Sequence, residues 1–136
     1  MTDGEVDSPS EASSVEPPPP PLDVITVFEA SQLDEWIQAI EAAPLFAFDT
    51  ETTSLNYMQA EIVGVSVAVA TDRAAYIPLA HDYPGAPEQL NRDTVLERLR
   101  PLVEDSQRLK VGQNLRYDAN VLANYGITLR GIAHDS

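Results

Sequence analysis

In Leu45-Phe46-Ala47-Phe48-Asp49-Thr50-Glu51-Thr52 a short apolar run ends in two acids spaced i, i+2. The apolar run reads as a buried strand. Side chains alternate faces along a strand, so Asp49 and Glu51 point the same way. Two acids on one side of a strand that leaves a core repel each other unless something positive sits between them. A divalent cation meets that need, because hard cations take carboxylate oxygens. The same residues also fit a plainer account, a strand running into a polar turn with two solvated acids.

A second constellation lies further along. Gln113-Asn114-Leu115-Arg116-Tyr117-Asp118 follows the short strand-like stretch Leu109-Lys110-Val111-Gly112. If a helix starts near Asn114, then Asn114 and Asp118 are i, i+4 neighbours on one face, close to its N-terminus. A strand-to-helix junction is a usual place for functional groups in an α/β protein. The helix dipole also favours an anion there. The plainer account makes Asn114 an N-cap and Asp118 a solvated acid of the first turn.

The elements that must position these residues are legible in outline. Val24-Ile25-Thr26-Val27 reads as a short strand. Ser31 then caps a helix, with Asp34 completing an imperfect capping box. Leu33, Trp36, Ile37 and Ile40 form its apolar face, with Trp36 in the core. Pro44 separates that helix from the strand that ends at Asp49. A polar turn leads to a β-branched run over 62–69, and Asp72-Arg73 turns the chain into a third strand over 75–79. Pro78 stands near the end of that strand, where a missing N–H is tolerated. Three strands joined by short turns predict an antiparallel meander. A loop with His81, Tyr83 and Pro84 follows, then a helix from Asp93 with Val95, Leu96, Leu99 and Leu102 inward. A strand at 109–112, a helix over 115–125 stopped by Gly126, and a last strand over 127–133 complete the order. This order predicts an α/β protein with a mixed sheet and helices against it.

Composition bounds the rest. The chain has 136 residues, enough for one domain, and 43% of them are hydrophobic. With no cysteine there is no disulfide, thiolate zinc site or thiol nucleophile. No run approaches a membrane span, and the N-terminus lacks the pattern of a signal peptide, so a cytoplasmic protein is expected. The formal net charge is -14. Six acids and no Lys or Arg fall within residues 1–23, and seven of the eight basic residues lie at or after Arg92. Such a balance argues against a broad phosphate-tracking surface. It leaves room for a small acidic pocket that neutralises itself with metal ions. Residues 1–22 are acidic and Pro-rich, finishing in Pro17 to Pro21, and read as a disordered linker with a stiff polyproline II end.

Taken together, the two constellations are far more specific than either alone. Asp-x-Glu ends the first strand of a meander, and Asn-x-x-x-Asp opens a later helix after one more strand. This resembles the first two motifs of the four-carboxylate 3′–5′ exonucleases of ribonuclease H-like fold. Four stretches carry a closer resemblance. They are Phe46-Ala47-Phe48-Asp49-Thr50-Glu51-Thr52, Ala75-Tyr76-Ile77-Pro78-Leu79-Ala80-His81-Asp82-Tyr83, Val111-Gly112-Gln113-Asn114-Leu115-Arg116-Tyr117-Asp118 and Leu122-Ala123-Asn124-Tyr125-Gly126-Ile127. They look like the proofreading domain of the bacterial family A DNA polymerases. The resemblance covers about residues 24–136, so residues 23–136 are expected to form part of such a domain. The segment before it matches the variable linker that follows an upstream 5′-nuclease domain in this family.

The resemblance implies two divalent metal ions, Mg²⁺ or alternatively Mn²⁺ or Zn²⁺. Two metals about 4 Å apart suit in-line hydrolysis of a phosphodiester, since they stabilise the attacking and leaving oxygens together. By resemblance Asp49, Glu51 and Asp118 are the catalytic, metal-binding carboxylates, with Asp49 shared by both ions. Thr50, Leu55, Gln113, Asn114 and Tyr117 match positions near the substrate strand. Leu55 would wedge against the terminal bases, although an ordinary turn leucine fits as well, and Tyr117 would pack rather than react. His81 is assigned a structural role. The implied partners are the 3′ end of single-stranded or frayed DNA and a polymerase module of the same parent chain, with no membrane. The implied location is the bacterial cytoplasm, at the nucleoid.

The family also has a fourth carboxylate in a later helix, with a Tyr four residues before it. Ala133-His134-Asp135-Ser136 resembles the end of the strand before that helix. The expectation is a domain truncated at its C-terminus, without the helices that cover one side of the sheet and inactive alone, in which Asp135 is not the missing ligand. Two other readings remain: a ribonuclease D-like 3′–5′ exoribonuclease, and a non-catalytic scaffold that binds DNA ends.

Overall fold

A computed structural model describes residues 23–54 and 56–135. The linker expected at 1–22 lies outside the described residues, as does Leu55. The element order is β1 (Asp23–Thr26), α1 (Ala30–Ala42), β2 (Leu45–Thr52), β3 (Ile62–Ala70), β4 (Arg73–Pro78), α2 (Arg92–Glu104), β5 (Leu109–Gly112), α3 (Leu115–Ala123) and β6 (Ile132–Asp135). The six strands form one mixed sheet in the order β1-β4-β3-β2-β5-β6. The β2-β3-β4 meander is antiparallel, while β1 runs parallel to β4, β5 to β2 and β6 to β5. This is the α/β, ribonuclease H-like arrangement expected from the sequence.

The topology decides where the helices go. The three crossovers, β1 to β2, β4 to β5 and β5 to β6, all move the same way across the sheet. Parallel crossovers are right-handed almost without exception, so three moves in one direction place three helices on one face. The burial pattern agrees. Phe46 and Phe48 of β2, Val65 and Val67 of β3, and Ala75 and Ile77 of β4 join the inward residues of α1, α2 and α3 in one core. Trp36 is part of it.

Among the described residues no helix covers the other, bare face. In register across it run Val24, Ala74, Ala68, Ala47 and Val111. One row away Leu45 pairs with Leu109, and both are exposed. A row of three alanines leaves a shallow surface against which another layer can pack closely. The next row toward the C-terminal end of β2 is Thr26, Tyr76, Ser66 and Asp49, and beyond it Pro78, Gly64 and Glu51. The bare face therefore grades from apolar to acidic along β2.

Two expected boundaries are corrected. Helix α1 starts at Ala30 with Glu29 as N-cap, and Ser31 lies inside its first turn. The Gln32 side-chain oxygen accepts the backbone N–H groups of Glu29 and Phe28 at 3.1 and 3.0 Å, which satisfies the orphan donors upstream of Ser31. The last strand spans 132–135 rather than 127–133. Ile127 and Leu129 turn into the helix-side core, Arg130 N–H bonds Val103 O, and Gly131 adopts φ +73, so the chain cannot extend until residue 132.

Candidate active site

The site forms where β2 outruns its neighbour. β5 pairs with β2 only as far as Ala47↔Val111 and then ends at Gly112. Gly112 lets the chain leave the sheet closely, since an added Cβ would stand 2.8 Å from Phe48 O and from the Leu115 side chain. Asn114 is the N-cap of α3, and Asp118 falls in its first turn with its N–H on Asn114 O at 3.0 Å. Past Gly112, the edge of β2 has no strand partner on that side. A bare buried edge amide is costly, and Asp118 fills the place. Its Oδ1 accepts the Thr50 backbone N–H at 3.1 Å and the Thr50 hydroxyl at 2.5 Å. Asp118 is only 1% exposed and Thr50 7%. The solvated first-turn acid is thus replaced by a buried carboxylate at the start of a helix, where the dipole favours it.

Asp49 and Glu51 flank Thr50 on the opposite side of the strand, on the bare face, and both are exposed. Partial burial pushes the Asp49 carboxyl above the usual range, the negative charge of Glu51 adds to this, and a hydrogen bond from the Thr50 backbone opposes it. Two exposed carboxylates on one face of a strand are a donor set suited to a hard cation. Asp118 approaches from the strand edge instead. Among the described residues no group of three or more His, Cys, Asp or Glu is placed to share a metal. Asp49 and Glu51 turn their carboxylates outward, and Asp118 Oδ1 braces the backbone between them.

The remaining residues expected at the site fall in two groups. Gln113 and Asn114 are exposed at the β5–α3 junction. Gln113, Gly112 and Asp49 help line a depression of about 370 Å³ on the bare face, which Tyr76 closes at the other side. Tyr117 is half-buried, and its hydroxyl meets the Thr52 hydroxyl at 2.8 Å and also bonds Ser54 O. Asn124 Nδ2 donates to Tyr57 O at 2.7 Å, and Tyr125 Oη accepts the Ile62 N–H at 2.9 Å. Three side chains of α3 and its C-terminal turn thus hold the segment that follows Glu51 and would carry Leu55.

Tyr76 and Gly64 escaped the sequence reading as site residues. Gly64 is the cross-strand partner of Glu51, and a methyl group there would overlap the Tyr76 hydroxyl. The signal was present, since a glycine inside a β-branched strand often marks close approach by another group.

Comparisons with known proteins follow this geometry. The sequence model of a family described as 3′–5′ exonuclease matches residues 24–136. DNA polymerase I of Pseudomonas aeruginosa is 50% identical over 135 residues, covering 98% of this chain and 14% of that protein. The chain thus spans about one-seventh of the length of that relative. In fold it is similar to Trypanosoma brucei RNase D, with TM-score 0.66 and 18% identity over 82% of this chain and 37% of the other. It is also similar to the EXD2 exonuclease domain soaked in Mg and GMP, with TM-score 0.53 and 24% identity over 82% of this chain and 56% of that domain. Residues 24–136 of this chain belong to the 3′–5′ exonuclease family found in DNA polymerase I.

Proposed function

We propose that this chain supplies the metal-binding half of a proofreading domain, which hydrolyses the 3′-terminal phosphodiester of DNA within a longer polymerase. The observation that carries the proposal is the Asp49–Thr50–Glu51 segment. Its acids face outward together, and its central residue is locked by Asp118. When bound, a pair of divalent ions supplies charge stabilisation at the attacking and leaving oxygens and acidifies water. Everything else is the work of this chain. Asp49 and Glu51 offer oxygens at a fixed strand spacing. The Asp118–Thr50 clasp keeps that spacing rigid. Tyr117 orders the residues after Glu51, and Gln113 and Asn114 flank the approach to Asp49, where a terminal nucleotide would lie. Leu55 would contact its base.

Mg²⁺ is the ion of choice, supported by the oxygen-only donor set and by the EXD2 domain, of similar fold, that was soaked in Mg. The partners are a single-stranded or frayed 3′ end and the polymerase module of the same parent chain. The acidic residues 1–22 would be its linker to whatever precedes. The place of action would be the bacterial cytoplasm, at the nucleoid. A later helix would add a fourth carboxylate and cover the bare face, so the 136-residue chain alone should hydrolyse DNA poorly. Robust Mg²⁺-dependent release of 3′ nucleotides by this chain would contradict that.

The fold is shared with RNase D, which favours an RNA-trimming alternative at the level of architecture alone. The 50% identity to a DNA polymerase I favours DNA. Matched DNA and RNA 3′ ends offered to a longer protein containing this chain would decide, because the 2′-OH separates the two substrates. Preference for RNA would overturn the DNA reading.

A further inference from the structure

Tyr76 sits in the row of Asp49 and Ser66, but its ring leans across the next row and fills the space above Gly64, the partner of Glu51. A side chain at residue 64 would prevent this. The tyrosine is braced from behind, with its hydroxyl 2.6 Å from His81 Nε2. His81 is in turn fixed through its backbone. Its N–H donates to Gln89 Oε1 and its carbonyl accepts from Gln89 Nε2, both at 2.9 Å. Gln89 Nε2 also donates to Pro87 O at 3.1 Å. A chain of four groups thus runs from a loop to the position over Gly64, beside Glu51. The tyrosine hydroxyl is pushed up to about 12, by burial first and then by the negative charge of Glu51.

A tyrosine needed only to fix the loop would not have to lie over Gly64. The Glu51 side chain is exposed near the end of β2 and has free rotamers unless something limits them. We propose that Tyr76, braced by His81, is a positioning residue that holds Glu51 in the orientation needed to share a divalent cation with Asp49. The inference rests on the proposed metal-binding role of Asp49 and Glu51. Groups that orient a metal-binding side chain typically change affinity by about 10–100-fold when removed.

The test titrates the 136-residue chain with Mn²⁺, reading bound ion by electron paramagnetic resonance and the fold by thermal unfolding. Tyr76→Phe keeps the ring over Gly64 and removes the hydroxyl. It should weaken Mn²⁺ binding about tenfold with a native-like unfolding transition. His81→Gln should weaken it less, and should add nothing in the Tyr76→Phe background, because it acts through the tyrosine. Asp49→Ala should abolish binding. Unchanged Mn²⁺ affinity in Tyr76→Phe, with Asp49→Ala inactive in binding, would overturn the inference and leave the metal reading standing. Absence of Mn²⁺ uptake by the unaltered chain would overturn both.

Discussion

Asp118 Oδ1 accepts both the backbone N–H and the hydroxyl of Thr50, two residues 68 positions apart in sequence. The contact ties the first turn of α3 to the middle of the acidic segment of β2. It makes the carboxylate a substitute for the strand that ended at Gly112.

The clasp should therefore be a stability element as well as a site element. Asp118→Ala strands two buried donors and should destabilise the fold by about 2–4 kcal/mol. Thr50→Val removes only the hydroxyl and should cost about 1–2 kcal/mol. Urea unfolding of both single variants and the double variant should give a coupling of about 1 kcal/mol or more. Strict additivity would mean that the two residues do not act as a pair.

At Asp49 the sign is opposite. Its folded carboxyl lies above the ordinary value of 3.8, so the folded state holds its proton longer than the unfolded chain. Stability from this group is present at pH below 3.8 and is lost as pH rises through the folded value. Asp49→Asn should consequently be more stable than the unaltered chain at pH 7, and the difference should vanish near pH 3. The carboxyl is exposed, so solvent keeps the gain below about 1 kcal/mol. Excess Mn²⁺ should raise the melting temperature of the unaltered chain and not that of Asp49→Asn. Equal Mn²⁺ responses would count against Asp49 as a ligand.

Much of this was legible before any coordinates. The meander, the order of elements and the core faces of α1 and α2 followed from periodicity, because apolar spacing reports burial directly. Asp49 and Glu51 were found because strand alternation alone sets their common face. The role of Asp118 was harder to see. Whether a first-turn acid is solvated or buried depends on where β5 ends relative to β2, and register is a non-local property. Ser31 misled because capping preference is nearly shared by several neighbouring residues, and the Gln32 contact decided among them. Ile127 and Leu129 looked strand-like because alternation cannot separate a strand from an extended segment laid over helices. Tyr76 was invisible as a neighbour of Glu51, since their closeness requires two strand pairings and a glycine between them.

Lys110 offers a test remote from the acids. It has no exposed area, its Nζ donates to Asp105 O at 2.6 Å, and it lies over the Phe46 ring. Burial lowers it from 10.5 to about 8, Asp105 opposes the shift and Arg108 adds to it. The unfolded chain thus binds the extra proton between about pH 8 and 10.5, and stability from this group rises across that window. Relative to Lys110→Met, the unaltered chain should gain about 1–2 kcal/mol from pH 7.5 to 10.5. A flat difference would mean that the ammonium reaches water.

Tyr117→Phe should loosen the segment after Glu51 without unfolding the sheet. The Thr53 N–H bonds Glu61 O at 3.0 Å, and the carbonyl of the adjacent Ser54 accepts from the tyrosine hydroxyl. Amide hydrogen exchange at Thr53 should quicken about fivefold, the equivalent of one net hydrogen bond of about 1 kcal/mol. Unchanged protection would show that Asn124 and Tyr125 suffice.

The central claim is that Asp49 and Glu51 serve hydrolysis at a DNA 3′ end. The most direct measurement places Asp49→Ala in a longer protein that includes this chain with the rest of its domain and polymerase module. Release of 3′-labelled nucleotides from single-stranded DNA is then followed with Mg²⁺, alongside primer extension. The account predicts loss of 3′–5′ hydrolysis by a factor of about 10³ or more, as expected when a charge-stabilising group is removed from a reacting centre, with extension largely intact. Hydrolysis at an unchanged rate, or equal loss of both activities, would contradict it.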